Sequence, residues 1–84
     1  MSYKLNITRT AQKELASIDR SRVLEIKEVI LTLSSNPRPT GSKKLTGKHG
    51  WRIKSGDFRI IYEIDDSVET ITILHIGDRK DIYG

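Results

Sequence analysis

The twelve residues WRIKSGDFRIIY, positions 51 to 62, gather Arg52, Lys54 and Arg59 around one carboxylate, Asp57. Crowded cations repel one another, so a rigid hairpin that holds them together suggests an anion as partner. Such a face grips phosphate by charge alone, with salt-dependent and sequence-independent affinity. It also carries the side chains needed to break a ribose–phosphate linkage. That reaction stabilises charge on the phosphate, takes a proton from the ribose 2′-OH and delivers one to the 5′ oxygen. Arginine suits the first task through its forked donors and permanent charge. Lysine acts as a base only when its pKa falls far below about 10.4. Neighbouring Arg52 and Arg59 push Lys54 in that direction, and bound phosphates push it back. No step of this chemistry needs a metal.

The last ten residues, HIGDRKDIYG, add Arg79, Lys80 and Tyr83. Tyr83 reads equally as a ring that stacks on a base or orients a phosphate and as one that closes the edge of the core. Arg79 reads as a further cation for the face or as an exposed partner of Asp78 or Asp81, a pairing worth at most about 1 kcal/mol. Lys43, Lys44 and Lys48 read equally as phosphate contacts and as solubilising charge. Trp51 is expected as a core anchor. His75 is expected to share the face of Ile71 and Ile73 as a structural histidine, and His49 to be exposed.

Positioning these residues requires a scaffold, and hydrophobic periodicity supplies one. Tyr3, Leu5 and Ile7 alternate with polar residues over Ser2 to Thr8, which predicts a half-buried strand. A helix capped between Thr8 and Thr10 carries the stripe Ala11, Leu15, Ile18. After Asp19-Arg20-Ser21, a second helix carries Val23, Ile26, Ile30 and Leu33 and stops at Ser34-Ser35-Asn36-Pro37. The segment from Arg38 to Gly50 reads as a lysine-bearing loop. Strands follow at Trp51 to Lys54, Phe58 to Ile64 and Val68 to Ile76. The predicted class is α+β in the order β-α-α-β-β-β, with a small curved antiparallel sheet beside an antiparallel helix pair.

Register decides whether the cations act together. Pairing Lys54 with Arg59 and Ile53 with Ile60 places Arg52, Lys54, Arg59 and Ile61 on one face. Trp51, Ile53, Ile60, Tyr62 and Ile64 then take the other. A slip of one residue would split the cations and bury Arg59 beside Ile53, at a cost of roughly several kcal/mol if unpaired. The first register is therefore expected.

The totals narrow the function classes. Eighty-four residues predict one domain, 1–84, and the absence of cysteine excludes disulfides and thiolate metal sites. Two separated histidines predict no zinc site, and no cofactor is indicated. No apolar run approaches the ~18 residues of a membrane span and no signal-peptide pattern opens the chain, so the expected location is the cytoplasm. Between Asn36 and Arg59 seven cations face one carboxylate, a net of +6, which leaves −2 on the rest of a chain totalling +4. A basic middle on a mildly acidic frame points to nucleic acid, an anionic membrane or an acidic protein, set against a plain solvated loop.

The ordered set W-R-I-K, G-D-F-R-I-I-Y-E-I and I-G-D-R-K-D-I-Y resembles the RelE/ParE superfamily of type II toxins, nearest to the RelE-like mRNA interferases. The opening strand and the helix bearing Ala11, Lys13 and Leu15 belong to the likeness, which spans nearly the whole chain. The resemblance implies a RelE-like, microbial ribonuclease-type fold and a ribosome-dependent endoribonuclease. Such a toxin cleaves mRNA in the ribosomal A site and so arrests translation and growth. Carried over by motif, Lys54 is the base, Arg52 a second cation on its strand and Arg59 the transition-state stabiliser. Arg79 is the acid or charge stabiliser, and Tyr83 orients or stacks the nucleotide. Lys43, Lys44 and Lys48 meet ribosomal RNA. The implied partners are the ribosome, mRNA and a RelB-like antitoxin, the last in a hetero-oligomer that binds DNA through the antitoxin, with no membrane. Two departures matter. Arg52 stands where lysine also occurs in the family, and a guanidinium is a poor proton carrier. Asp78 stands where relatives often have histidine. The alternatives are a ParE-like gyrase-inhibiting toxin without nuclease activity and a non-catalytic RNA-binding module.

Overall fold

The structure is a computed structural model that describes residues 2–45 and 50–78. The chain runs β1 (Lys4–Ile7), α1 (Arg9–Ala16), α2 (Arg20–Ser35), β2 (Lys43–Lys44), β3 (Trp51–Ser55), β4 (Phe58–Asp65) and β5 (Thr70–Asp78). The α+β class and the order of the longer elements match the sequence reading.

Thr8 starts α1 because its Oγ1 accepts a hydrogen bond from the Ala11 N–H at 3.1 Å. The same hydroxyl donates to the Leu74 carbonyl at 3.1 Å, and the Thr8 N–H donates to the Ile73 carbonyl at 3.0 Å. One residue thus caps the helix and fastens it to β5. The second helix buries Ile26, Ile30 and Leu33, the i, i+4, i+7 stripe that faces the sheet. It ends at Asn36, an extended residue ahead of Pro37, as the steric demand of proline requires.

The described strands form one sheet in the order β1-β5-β4-β3-β2. Four of its five members run antiparallel to their neighbours in sequence, but β1 pairs parallel to β5, from Lys4 opposite Thr70 to Ile7 opposite Ile73. The sheet is therefore mixed rather than wholly antiparallel. The cause is the helix pair, which forms a long crossover and can return the chain so that first and last strands run alongside each other. A second addition is β2, a two-residue strand inside the expected loop, paired with β3.

The core lies between the helices and one face of the sheet. Ala11, Ile26, Ile30 and Leu33 meet Ile53, Ile60, Tyr62, Ile71, Ile73 and Ile76, with Leu5, Ile7, Leu15, Trp51 and Phe58 at its margin. Tyr62 is fully buried, and its hydroxyl donates to the Pro37 carbonyl at 2.8 Å. Burial raises the pKa of that phenol, which keeps it a neutral donor. Among the described residues no helix is long and apolar enough to cross a membrane.

Candidate active site

The hairpin of β3 and β4 takes the expected register. Lys54 lies opposite Arg59, Ile53 opposite Ile60 and Arg52 opposite Ile61. Ser55 also pairs with Phe58, so the connection shortens to Gly56-Asp57. Gly56 has φ +61°, as a two-residue hairpin turn with glycine first requires. Residues opposite one another share a face. Arg52, Lys54, Arg59 and Ile61 therefore stand together on the face that the helices leave open.

Arg59 is the unusual member. It is only 6 % exposed, and its Nη1 donates to the Phe58 carbonyl at 3.4 Å. Its neighbour Ile61 is 8 % exposed, yet it lies outside the main core cluster. A guanidinium held in place with little water around it interacts more strongly with an arriving anion than a solvated one does. Lys54, directly across from it, is exposed and makes no ion pair among the described residues. One fixed cation beside one free amine is an arrangement that can grip a phosphate and leave a second group to move.

The flanking lysines do not act as a set. Lys43 lies opposite Arg52 and extends the cationic face across β2. Lys44 lies opposite Trp51 and so belongs to the other face. Arg38, part of the basic stretch in sequence, is spoken for. Its Nη2 donates to Asp66 Oδ2 at 2.8 Å, its guanidinium sits 5.3 Å from the Trp51 ring centroid, and Tyr3 donates to Asp66 Oδ1 at 2.6 Å. These contacts clasp the loop after α2 to the turn between β4 and β5. The Arg38 hydrogen bond, then that of Tyr3, holds the Asp66 carboxyl below its ordinary pKa. Arg38 thus contributes to fixing the loop. Lys48, His49, Arg79 and Tyr83 lie outside the described residues.

The open face is polarised along β4. It is cationic at Lys54 and Arg59 and turns acidic at Glu63 and Asp65, which alternate onto the same side. An anionic chain is therefore drawn to one end of the sheet and repelled from the other.

His75 departs from expectation. It does not share a face with Ile71 and Ile73. Ile61 pairs with His75 but Tyr62 pairs with Ile73, so Leu74 is an extra residue and a β-bulge reverses the alternation. Ile76 enters the core, and His75, with its side chain 55 % exposed, joins the cationic face opposite Ile61. Its Nδ1 lies 3.5 Å from Glu14 Oε1, and the same oxygen accepts the Ile76 N–H at 3.0 Å. The signal was present in the spacing of Ile71, Ile73 and Ile76, where a step of two becomes a step of three.

The chain as a whole is similar to known proteins. Residues 5–83 match the family described as the ParE toxin of type II toxin-antitoxin systems, parDE. The chain is 31 % identical to Toxin RelG of Mycobacterium tuberculosis over 99 % of this chain and 98 % of that protein. It is 32 % identical to Toxin RelE of the same organism, over 96 % of this chain and 86 % of that protein. In three dimensions it resembles a chain of the RelBE2 toxin–antitoxin complex of M. tuberculosis, with a TM-score of 0.84 at 26 % identity over 94 % of this chain and 100 % of that one. A chain of the archaeal RelE–RelB complex of Pyrococcus horikoshii superposes with a TM-score of 0.83 at 27 % identity, covering 94 % and 97 % of the two chains. With a matching profile along nearly its full length and relatives of the same size and fold, the chain belongs to the RelE/ParE superfamily and is a type II toxin–antitoxin toxin.

Proposed function

We propose that this toxin is a ribosome-dependent endoribonuclease that cleaves mRNA in the ribosomal A site by attack of the ribose 2′-OH on the adjacent phosphorus. The observation that carries the reading is the direct pairing of Lys54 with a desolvated Arg59 on the helix-free face. Arg59 stabilises the charge that builds on the phosphate, and oriented donors of this kind contribute about 10²–10³-fold each. Lys54 takes the proton from the 2′-OH. Arg52 and Lys43 hold neighbouring phosphates, with Lys48 as a further contact to ribosomal RNA, while Lys44 on the other face stays away from it. Arg79 adds positive charge and Tyr83 orients the nucleotide. The chemistry uses no metal or cofactor and takes place in the cytoplasm.

A RelB-like antitoxin is the natural inhibitor under this reading. Relatives with this fold occur in RelB–RelE complexes. An acidic amphipathic segment would be attracted to the same cationic face, and the resulting hetero-oligomer would bind DNA through the antitoxin. The second reading is a gyrase-inhibiting toxin without nuclease activity, and the match to the ParE family favours it specifically.

Brief expression followed by mapping of mRNA 5′ ends, with translation running or blocked, separates the two. The nuclease reading expects new ends inside translated codons that require translating ribosomes and vanish in the Arg59→Ala, Arg79→Ala double variant. Growth arrest with DNA-damage signalling and no new ends overturns it in favour of the gyrase reading.

A further inference from the structure

The cleavage reaction leaves one task without an owner. A proton must reach the departing 5′ oxygen, and arginine does not give one up near neutral pH. The described residues hold one imidazole on the cationic face, that of His75, brought there by the Leu74 bulge. Imidazole is the side chain best matched to proton transfer near neutrality.

Three features suit it to that task. First, β4 lies between β3 and β5, so Lys54 sits directly across from Arg59 while His75 lies on the far side of β4, two residues along, with backbones roughly 12 Å apart from two strand steps of about 4.8 Å and two rises of about 3.4 Å. In-line displacement needs the base and the acid on opposite sides of phosphorus. Second, Gly77 is the β5 residue opposite Arg59, so β5 places no side chain directly beside that guanidinium. Third, Glu14 reaches from α1 to Nδ1, and its hold on the Ile76 N–H fixes the carboxylate. Nδ1 thus faces the carboxylate, which leaves Nε2 for the substrate. The charged groups facing His75 are Glu14 from α1, Arg59 and Glu63 diagonally on β4, and Arg52 in the same row on β3.

We propose that His75 is the general acid of the cleavage reaction, oriented by Glu14. The proposal rests on the nuclease reading above. In the step, neutral Lys54 accepts the 2′-OH proton as the 2′ oxygen bonds to phosphorus. The bond from phosphorus to the 5′ oxygen breaks, and that oxygen takes the Nε2 proton of the His75 imidazolium. The products are a 2′,3′-cyclic phosphate and a 5′-hydroxyl. Lys54 ends protonated and His75 ends neutral with its proton on Nδ1 toward Glu14, so charge and protons balance.

A sulfur-bridged substrate tests this. Programmed ribosomes carry mRNA with either the natural linkage or a 5′-bridging phosphorothiolate at the scissile position, whose thiolate leaves without protonation. His75→Gln is expected to slow natural cleavage by about 10²-fold or more and to cleave the sulfur substrate within a few-fold of wild type. Glu14→Gln, which keeps an acceptor for the Ile76 N–H, is expected to slow natural cleavage and to leave cleavage of the sulfur substrate within a few-fold of wild type. Equal slowing of His75→Gln on both substrates, or slowing on neither, overturns the acid role while leaving the nuclease intact. Absence of cleavage of either substrate by the wild-type protein overturns the nuclease reading and this role with it.

Discussion

On the helix side of the sheet, Ile53, Ile60, Tyr62, Ile71, Ile73 and Ile76 pack against α1 and α2, and the buried Tyr62 hydroxyl has its partner in the Pro37 carbonyl. On the other side, positions one residue along the same strands carry Arg52, Lys54, Arg59, Glu63 and His75. The first face gains stability by removing apolar surface from water. The second holds like charges close together, an arrangement that opposes folding until an anion arrives. The difference teaches that β3, β4 and β5 serve both purposes through the period-two alternation of one short stretch of chain. The helix side fixes the register, and the register fixes which cations meet.

Substitutions on the two faces should therefore fail in different ways. The largest effect belongs to Ile60→Ala, which leaves a cavity in the fully buried core. It should lower unfolding free energy by about 2–5 kcal/mol, read by chemical denaturation, with activity lost only in proportion to unfolded protein. Arg59→Ala should do the reverse. The cleavage rate should drop about 10²–10³-fold, while the melting temperature stays near that of the wild type or rises with relief of repulsion. A large loss of stability with no loss of rate would assign Arg59 to the fold.

A finer test separates the adjacent lysines. Lys43→Ala should weaken ribosome binding and reduce the slope of log affinity against log salt by about 0.7–0.9, one phosphate contact. Lys44→Ala, on the opposite face, should leave the slope unchanged. Equal effects would mean that the two faces are not separate in function.

The smallest effect concerns acid. Asp66 is held below its ordinary pKa by Arg38 and Tyr3, and Asp65 below its own by the Ser67 hydroxyl. A depressed carboxyl stabilises the fold above its unfolded pKa of about 3.9, and that stability is lost as pH falls through the lower folded value. The melting temperature should decline below about pH 4, and Asp66→Asn should flatten the decline. An unchanged decline in that variant would remove the clasp from the account.

Much of this arrangement was legible because it depends on local alternation. The residues from Trp51 to Ile64 have one register that turns Ile53, Ile60 and Ile64 toward the helices and Arg52 and Arg59 away from them, and the structure adopts it. The helices were legible from the stripe Ile26, Ile30, Leu33 and from Thr8 as a cap. What escaped depends on pairing across the chain. The parallel docking of β1 on β5 pairs residues more than sixty positions apart. The Arg38–Asp66 clasp joins a loop to a distant turn, so a charge count treats Arg38 as available when it is engaged. Lys43 and Lys44 are equivalent in composition and separate only once β2 pairs with β3. The bulge at Leu74 changes one residue's worth of phase, enough to carry His75 from the expected core face to the cationic one.

The central claim is that the open face cleaves RNA only when the ribosome presents it. The most direct measurement is single-turnover cleavage of one mRNA by the purified toxin, free in solution and in the A site of purified ribosomes, alongside Arg59→Ala. The account predicts a new 5′-hydroxyl end within the A-site codon on the ribosome, negligible cleavage of the free strand, and loss of the ribosomal product in the variant. An uncut A-site codon with the wild-type toxin bound, or equal cleavage with and without ribosomes, would contradict it.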